Sequence, residues 1–447
     1  MSAHLLINGL GGERKLKGEI AVVGAKNAAL KAIAASVLFD SPLKLSNVPQ
    51  IEDVSRMLDL LRSMGASASQ ENDRVELDAR TLTQYTLTEE ISKRLRASVV
   101  LTGPLLSRLG RVRFPHPGGC VIGERPIDLF IEAFEKMGAR VAHEGKFYDI
   151  RAPREGLRGA ELFFRTQSVT GTETFIMAGV LARGKTVVKN AAMEPEIAWL
   201  AGCLNDSGAR ITGAGTPTIT IEGVKLLRQR KEPFRIVPDR IEAGSFLILG
   251  ALAAKELTIK NIVPEHLEAL IELLEYSGIP VKKGKDTITV CAPRSKSILR
   301  PMTIKTHEYP GFPTDLQAPM MIYLTQATGE SSVFETIFEG RLGYTESLNM
   351  MGANITMMDP HRVLVKGPTP LRGRRLESPD LRAGLAFVLA GVIASGVSEI
   401  HNVYNIDRGY ERIEERLRGV GADIRRVERV EERPASPLPA FEKSITR

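Results

Sequence analysis

Two groups of residues carry types and spacings that could do chemistry. The first is a thiol. Cys120 sits at the tip of the Pro/Gly-rich segment PHPGGCVIGERPID, with Arg113 and Arg125 near it in sequence. Cations beside a thiol on an exposed loop favour thiolate and reactivity. Cys203 and Cys291 lie on an apolar helix face and in a strand, and read as small buried hydrophobes. The second group stands at the starts of apolar helices: Lys26 and Asn27 in GAKN, Arg96, the run Thr170–Glu173, Asp315, and Asp380 with Arg382. Helix starts expose unpaired N–H groups and a positive dipole end, so they bind phosphate and carboxylate. Asp315, Asp380 and Thr170 also suit N-caps, which is the preferred reading for Asp380 and Thr170. A lysine at a helix start is unfavourable on its own. Lys26 therefore points to a cation kept there to meet an anion. Three such ends per domain, aimed at one interdomain cleft, would hold a multiply anionic ligand. Neither GxGxxG nor a Walker motif occurs, which argues against a dinucleotide or P-loop site.

The elements that must position these groups come in six copies. Each is an amphipathic helix ending in glycine, as in VSRMLDLLRSMGASAS or IDLFIEAFEKMGARVA. The glycines are Gly65, Gly138, Gly208, Gly278, Gly352 and Gly421, each where a helix needs a left-handed C-terminal residue. An almost wholly apolar helix precedes each amphipathic one and must be buried. Alternating runs such as TPTITIEG follow the glycines and read as hairpin strands. The sixth copy lacks its final strand, and HLLINGL at the N-terminus could supply it. Counting back 17–19 residues from the glycines gives Asn47, Asn190, Asn261, Glu335 and Asn402, but Cys120 in the second copy. A thiol thus replaces a turn-forming polar residue. The expected fold is α/β (α+β), with two three-unit domains: 25–234, carrying the Cys loop, and 1–24 plus 235–430. The tail 431–447 is expected to be disordered.

Composition narrows the classes. The 447 residues carry a net charge of +7, with 43% hydrophobic and 25% charged residues, which is ordinary for a globular protein. Without a long apolar run or a leader pattern, the expectation is a cytoplasmic chain with no membrane contact. Three cysteines, none in a CxxC pair, give neither a disulfide framework nor a zinc site. The densest basic run, RIEERLRGVGADIRRVERVEERP, alternates Arg with Glu. It reads as an ion-paired helix face rather than a nucleic-acid surface.

The motifs GAKNAAL, RAS (96–98), PGGCVIGERPIDL, SVTGTE, PEI (195–197), PDRIEAG, YPGFPTDLQA, DLRA and IDRGYERIEE resemble those of the UDP-N-acetylglucosamine 1-carboxyvinyltransferases, a branch of the enolpyruvyl transferase family. The resemblance spans residues 1 to about 428. It implies a two-domain enolpyruvyl transferase fold of six units around buried central helices, an inside-out α/β barrel. It also implies transfer of the enolpyruvyl group of phosphoenolpyruvate to the 3′-hydroxyl of UDP-N-acetylglucosamine, the first committed step of peptidoglycan synthesis. The two substrates are the expected partners, with no cofactor, no metal and no obligate protein partner. By the same resemblance Cys120 is the acid, Asp315 the base, and Lys26, Arg125 and Arg408 meet phosphoenolpyruvate with Asn27 and Arg382 nearby. Nucleotide-sugar contacts map to Arg96, Arg125, Pro126, Ile127, Asp128, Leu129, Ser168, Val169, Thr170, Gly171, Asp315 and Ile337. Asp315 is expected to have an exposed-carboxylate pKa near ~4. The family's epoxide inhibitor fosfomycin would alkylate Cys120.

Three rivals are weaker. The shikimate-pathway branch lacks the PGGC loop. RNA 3′-end cyclases need a histidine nucleophile and ATP. A non-catalytic nucleotide-sugar binder would not need Lys26, Cys120, Asp315 and Arg408 together.

Overall fold

The computed structural model describes residues 3–116, 127–229, 232–293 and 299–428. Six small sheets appear among them, five of four strands and one of three. In the first, Leu43–Ser46 lies between a parallel edge strand, Phe234–Arg235, and the antiparallel hairpin Ser67–Glu71/Arg74–Asp78. The same order, parallel edge, main strand and hairpin, recurs in the others. In the second unit the edge shrinks to a single bridge between Thr86 and Arg113. The sixth sheet is completed from the far end of the chain. His4–Asn8 inserts between Val397–His401 and Asp423–Val427 and pairs antiparallel with both, as the missing strand required. No sheet closes on itself, so the expected barrel is an arrangement of separate sheets around helices rather than one closed sheet.

The repeat glycines behave as their positions demand: all six have φ between 88° and 105°. The asparagines do more than turn the chain. Asn47, Asn190 and Asn261 each adopt φ of 55–56°. Each side-chain amide then donates to the carbonyl just past its own sheet's edge strand: Ile236 at 2.8 Å, Phe164 at 2.8 Å and Val22 at 2.5 Å. In the fifth unit the Thr336 hydroxyl does this to Thr306 at 2.6 Å, and in the sixth Asn405 does it to Ser378 at 2.8 Å. A side-chain donor thus satisfies a carbonyl that the ladder leaves behind.

The apolar helices Lys26–Ala35, Val169–Val180, Arg240–Ala253, Gln317–Leu324 and Leu381–Ile393 are buried almost throughout. The sixth is a 3-10 segment, Arg96–Leu101, running into Thr102–Leu109. They fill two separate cores. One is built from residues 25–236, the other from residues 5–22 and 241–424. We propose that the domain division follows these cores. The boundary then falls just past Phe234–Arg235, which belongs to the first sheet, rather than between those two residues. The chain crosses twice, side by side: the Ala25 N–H donates to the Val237 carbonyl at 2.7 Å and the Asp239 N–H to Val23 at 3.0 Å. Gly24 is needed there, since a Cβ would come within 1.8 Å of the Asn47 carbonyl oxygen.

The Arg/Glu-rich run is ion-paired, as its alternation suggests, yet it is not merely a solvated face. Arg416 reaches inward to Glu242, which is buried on the Arg240–Ala253 helix, at 2.5 Å. Arg426 binds both Asp407 and Glu414. No helix among the described residues is long and apolar enough to cross a membrane.

Inside the first core, Lys31 faces Glu173 at 3.0 Å between two buried helices. Burial pushes the Glu173 carboxyl up to about 7, against the pull of Lys31. The folded chain therefore keeps a proton that the unfolded chain releases above pH 4.5. Its contribution is fully present below that pH and is lost as pH rises toward 7, on the order of 3 kcal/mol. Glu173→Gln should flatten the fall in melting temperature between pH 4.5 and 7. An unchanged slope would assign the pH dependence elsewhere. A second test isolates backbone strain. Gly208 (φ 105°) and Gly202, inside the Pro195–Asp206 helix, both have open space where a Cβ would go. Gly208→Ala should cost about 1–2 kcal/mol, and Gly202→Ala should gain about 0.5–1 kcal/mol. Urea midpoints that move in the same direction for both would refute the strain argument.

Candidate active site

A cleft of about 800 Å³ lies between the two cores. The starts of the buried helices converge on it: Lys26 and Asn27, Arg96, Val169 and Thr170, Arg240, Asp315, and Arg382 all line its wall. The anion-binding geometry read from the helix starts is thus assembled in one place.

Charge in the wall is held by two carboxylates. Asp53, 1% exposed, receives the Lys26 ammonium at 2.6 Å and the Arg408 guanidinium at 2.9 Å. It lies on the Glu52–Ser63 helix of the first core, while Arg408 belongs to the second, so the pair ties the domains together across the cleft. Burial would raise the Asp53 carboxyl, but the two cations outweigh it and hold it below the usual carboxylate range. Burial lowers Lys26, Asp53 partly restores it, and Arg382 and Arg408 lower it again. The second carboxylate is Asp315, at 2.9 Å from Arg341 and 2.7 Å from Arg382. The four cations around these two carboxylates exceed them by two charges locally, while the wall as a whole, with nine Lys and Arg against eight Asp and Glu, is nearly balanced.

Asp315 departs from expectation. It does not behave as an exposed carboxylate near 4. Burial would raise it, yet Arg382 and Arg341 prevail and hold it far below the ordinary range. Nor does it cap a helix: it sits inside the Thr314–Leu316 turn with one oxygen on each arginine. Arg382 also donates to the Tyr410 hydroxyl at 2.7 Å, which fixes its orientation. Thr170 is not a cap either. Ser168 caps that helix by accepting from the Gly171 N–H at 3.0 Å. Asp380 does cap, accepting from Arg382 N and Ala383 N.

Of the nucleotide-sugar set, Arg96, Ile127, Asp128, Leu129, Ser168, Val169, Thr170 and Ile337 line the cleft, whereas Gly171 is buried behind Ser168. Cys120, Arg125 and Pro126 lie outside the described residues. Cys203 and Cys291 are half-buried rather than buried, because each stands beside the apolar stripe of its element and not within it; burial still pushes the Cys203 thiol up to about 12.

Sequence reading missed Asp53 and Glu196 of the wall, and Asp239 behind it. Asp53 shares the buried face of its helix with Met57 and Leu60, so a carboxylate on an apolar stripe was the available signal. Asp239 caps the Arg240–Ala253 helix and also accepts the Lys26 N–H at 3.2 Å. Glu196 binds Arg240 across the domain boundary at 3.2 Å. Their partners are 44 and more than 200 residues away, beyond the reach of any local pattern.

Comparison with known proteins agrees with this geometry. The family model described as EPSP synthase (3-phosphoshikimate 1-carboxyvinyltransferase) matches residues 10–417. A UDP-N-acetylglucosamine 1-carboxyvinyltransferase of Koribacter versatilis is 44% identical over 96% of this chain and 98% of its own length. One from Acidobacterium capsulatum is 46% identical over 93% and 95%. Among solved structures, the enolpyruvyl transferase NikO from Streptomyces tendae superposes with a TM-score of 0.84 at 24% identity, over 95% of this chain and 99% of that one. EPSP synthase from Acinetobacter baumannii gives 0.71 at 18%, over 95% and 100%. At such identities the two structures speak for the fold, and the closer sequence relatives for the branch. The chain belongs to the enolpyruvyl transferase family, on the branch of the UDP-N-acetylglucosamine 1-carboxyvinyltransferases.

Proposed function

We propose that the chain transfers the enolpyruvyl group of phosphoenolpyruvate to the 3′-hydroxyl of UDP-N-acetylglucosamine and releases phosphate. The observation that carries this reading is the cation cluster of Lys26, Arg382 and Arg408 in the wall of the interdomain cleft, in a chain 44–46% identical to relatives named for this reaction.

The chemistry is addition followed by elimination. The sugar oxygen bonds to C2 of phosphoenolpyruvate, its proton goes to a base, and C3 takes a proton from an acid. The tetrahedral ketal then loses a C3 proton and expels phosphate, which restores the double bond. Lys26, Arg408 and Arg125 meet the phosphate and carboxylate of phosphoenolpyruvate, with Arg382 and Asn27 beside them. Cys120 is the acid and Asp315 the base. A carboxylate held by two arginines is a weak proton acceptor. An arriving phosphoenolpyruvate competes for Arg382, loosens one of the contacts that keep Asp315 acidic, and so raises its affinity for the hydroxyl proton. The nucleotide sugar runs past Arg96, the 127–129 segment, the Ser168–Thr170 helix start and Ile337. The likeness in sequence to the named relatives supports this acceptor over the shikimate-type one.

Phosphate release from phosphoenolpyruvate should require UDP-N-acetylglucosamine and should stop after fosfomycin treatment. Cys120→Ala should abolish or cripple turnover, while Cys120→Asp, an acid of similar reach, retains much of it. If both are equally dead, the thiol is not an acid. Asp315→Asn should lower turnover about 10²–10⁴-fold. Near-wild-type turnover in that variant would remove Asp315 from the base role.

A further inference from the structure

Glu194 is a buried carboxylate of the cleft wall that the scheme above leaves unused, with one oxygen open among the described residues. It is 8% exposed, and its Oε2 accepts no hydrogen bond among the described residues. It occupies the N-cap position of the Pro195–Asp206 helix without capping it. Pro195 follows immediately and fixes the entry, with Glu194 at φ −52° and ψ 142°. The neighbouring cation is already committed, since the Arg240 Nε lies 3.2 Å and 3.4 Å from the two oxygens of Glu196. Glu173, also without hydrogen bonds, differs in kind: it faces Lys31 at 3.0 Å and is not part of the wall.

A buried acceptor oxygen facing a cavity asks for a donor from whatever fills that cavity. Of the ligand groups in the proposed reaction, the phosphate and carboxylate of phosphoenolpyruvate and the diphosphate of the nucleotide carry no donor at neutral pH, and each would be repelled. Glu194, Arg240 and Asp315 all line the cleft, and the Arg240 charge acts on both carboxylates. Burial raises the Glu194 carboxyl, while backbone N–H groups of Glu194 and Tyr309 and the Arg240 charge oppose this; Oε2 itself remains without a donor among the described residues. With Asp315 as the base of the proposed transfer, the reacting sugar hydroxyl would be presented to it, and the neighbouring ring hydroxyls to the wall beside it.

We infer that Glu194 is a specificity residue that accepts a hydrogen bond from a non-reacting hydroxyl of the acceptor sugar. This rests on the transfer reaction proposed above. The carboxylate thereby reads the sugar ring and orients it, so that the reacting hydroxyl turns toward Asp315. An acceptor without the matching hydroxyl leaves the oxygen buried and unpaired, the usual basis for strong rejection.

The test is steady-state phosphate release by the full chain with UDP-N-acetylglucosamine and its 4-deoxy and 6-deoxy sugar analogues, for wild type, Glu194→Gln and Glu194→Ala. With wild type, one analogue should lose about 10–100-fold in kcat/KM, the scale of a hydrogen bond to a charged group. In Glu194→Ala that difference should collapse to less than about threefold. The near-isosteric Glu194→Gln should raise the KM for the sugar nucleotide while the KM for phosphoenolpyruvate stays within about twofold. Wild-type discrimination that persists in Glu194→Ala, or wild type indifferent to both deoxy analogues, would overturn the inference while leaving the transfer reaction standing. Wild type that releases no phosphate with the parent sugar nucleotide would instead sink the reaction itself.

Discussion

Two helices begin where the chain crosses between domains, Lys26–Ala35 and Arg240–Ala253, and each brings a positive dipole end and a cationic first residue to the same place. Left alone they would repel. Asp239 resolves part of the conflict by accepting N–H groups from both helix starts, and Asp53 and Glu196 take the side chains. Asp239 and Asp53 each hold groups from more than one segment, and Asp53 and Glu196 both reach across the boundary between the cores. The cleft keeps its local surplus of positive charge because the neutralisation is deliberately incomplete.

That incompleteness links fold to chemistry. A wall fully paired within itself would have nothing to offer an anionic substrate, and an unpaired one would not stay assembled. Partial pairing gives cations that are oriented before the substrate arrives and can be reassigned when it binds, the kind of preorganisation on which electrostatic catalysis depends. Arg382 shows the balance well: Tyr410 holds its orientation, while its contact to Asp315 is one that a ligand can contest.

The repeat architecture was legible because it is local. A helix must end at a left-handed residue, so six glycines at regular steps announced six helix ends, and a turn-forming asparagine ahead of them announced the strand exit. The helix starts at Lys26, Arg96, Asp315 and Arg382 were legible for the same reason. What sequence could not supply was the partner list. Asp315 reads as an ordinary exposed acid until Arg341 and Arg382 close on it from 26 and 67 residues away. Asp53, passed over in the sequence, takes its role only when Arg408 arrives from 355 residues away. Glu194 escaped the sequence reading altogether; it stands at an N-cap position without capping, with Oε2 unpaired among the described residues. Propensity and period report on neighbours within a few turns, whereas the electrostatics of a cleft are set by what folding brings across it.

The insertion of His4–Asn8 into the sixth sheet has a consequence for the order of events on the ribosome. Its strand partners, Val397–His401 and Asp423–Val427, are translated just under and just over four hundred residues after it. The core of residues 25–236 needs nothing from either end and can mature while the rest is still being made. The segment synthesised first must therefore wait, unpaired, until the other core is almost finished. Its apolar residues Leu5 and Ile7, wholly buried once docked, make it a natural client for a chaperone during that interval.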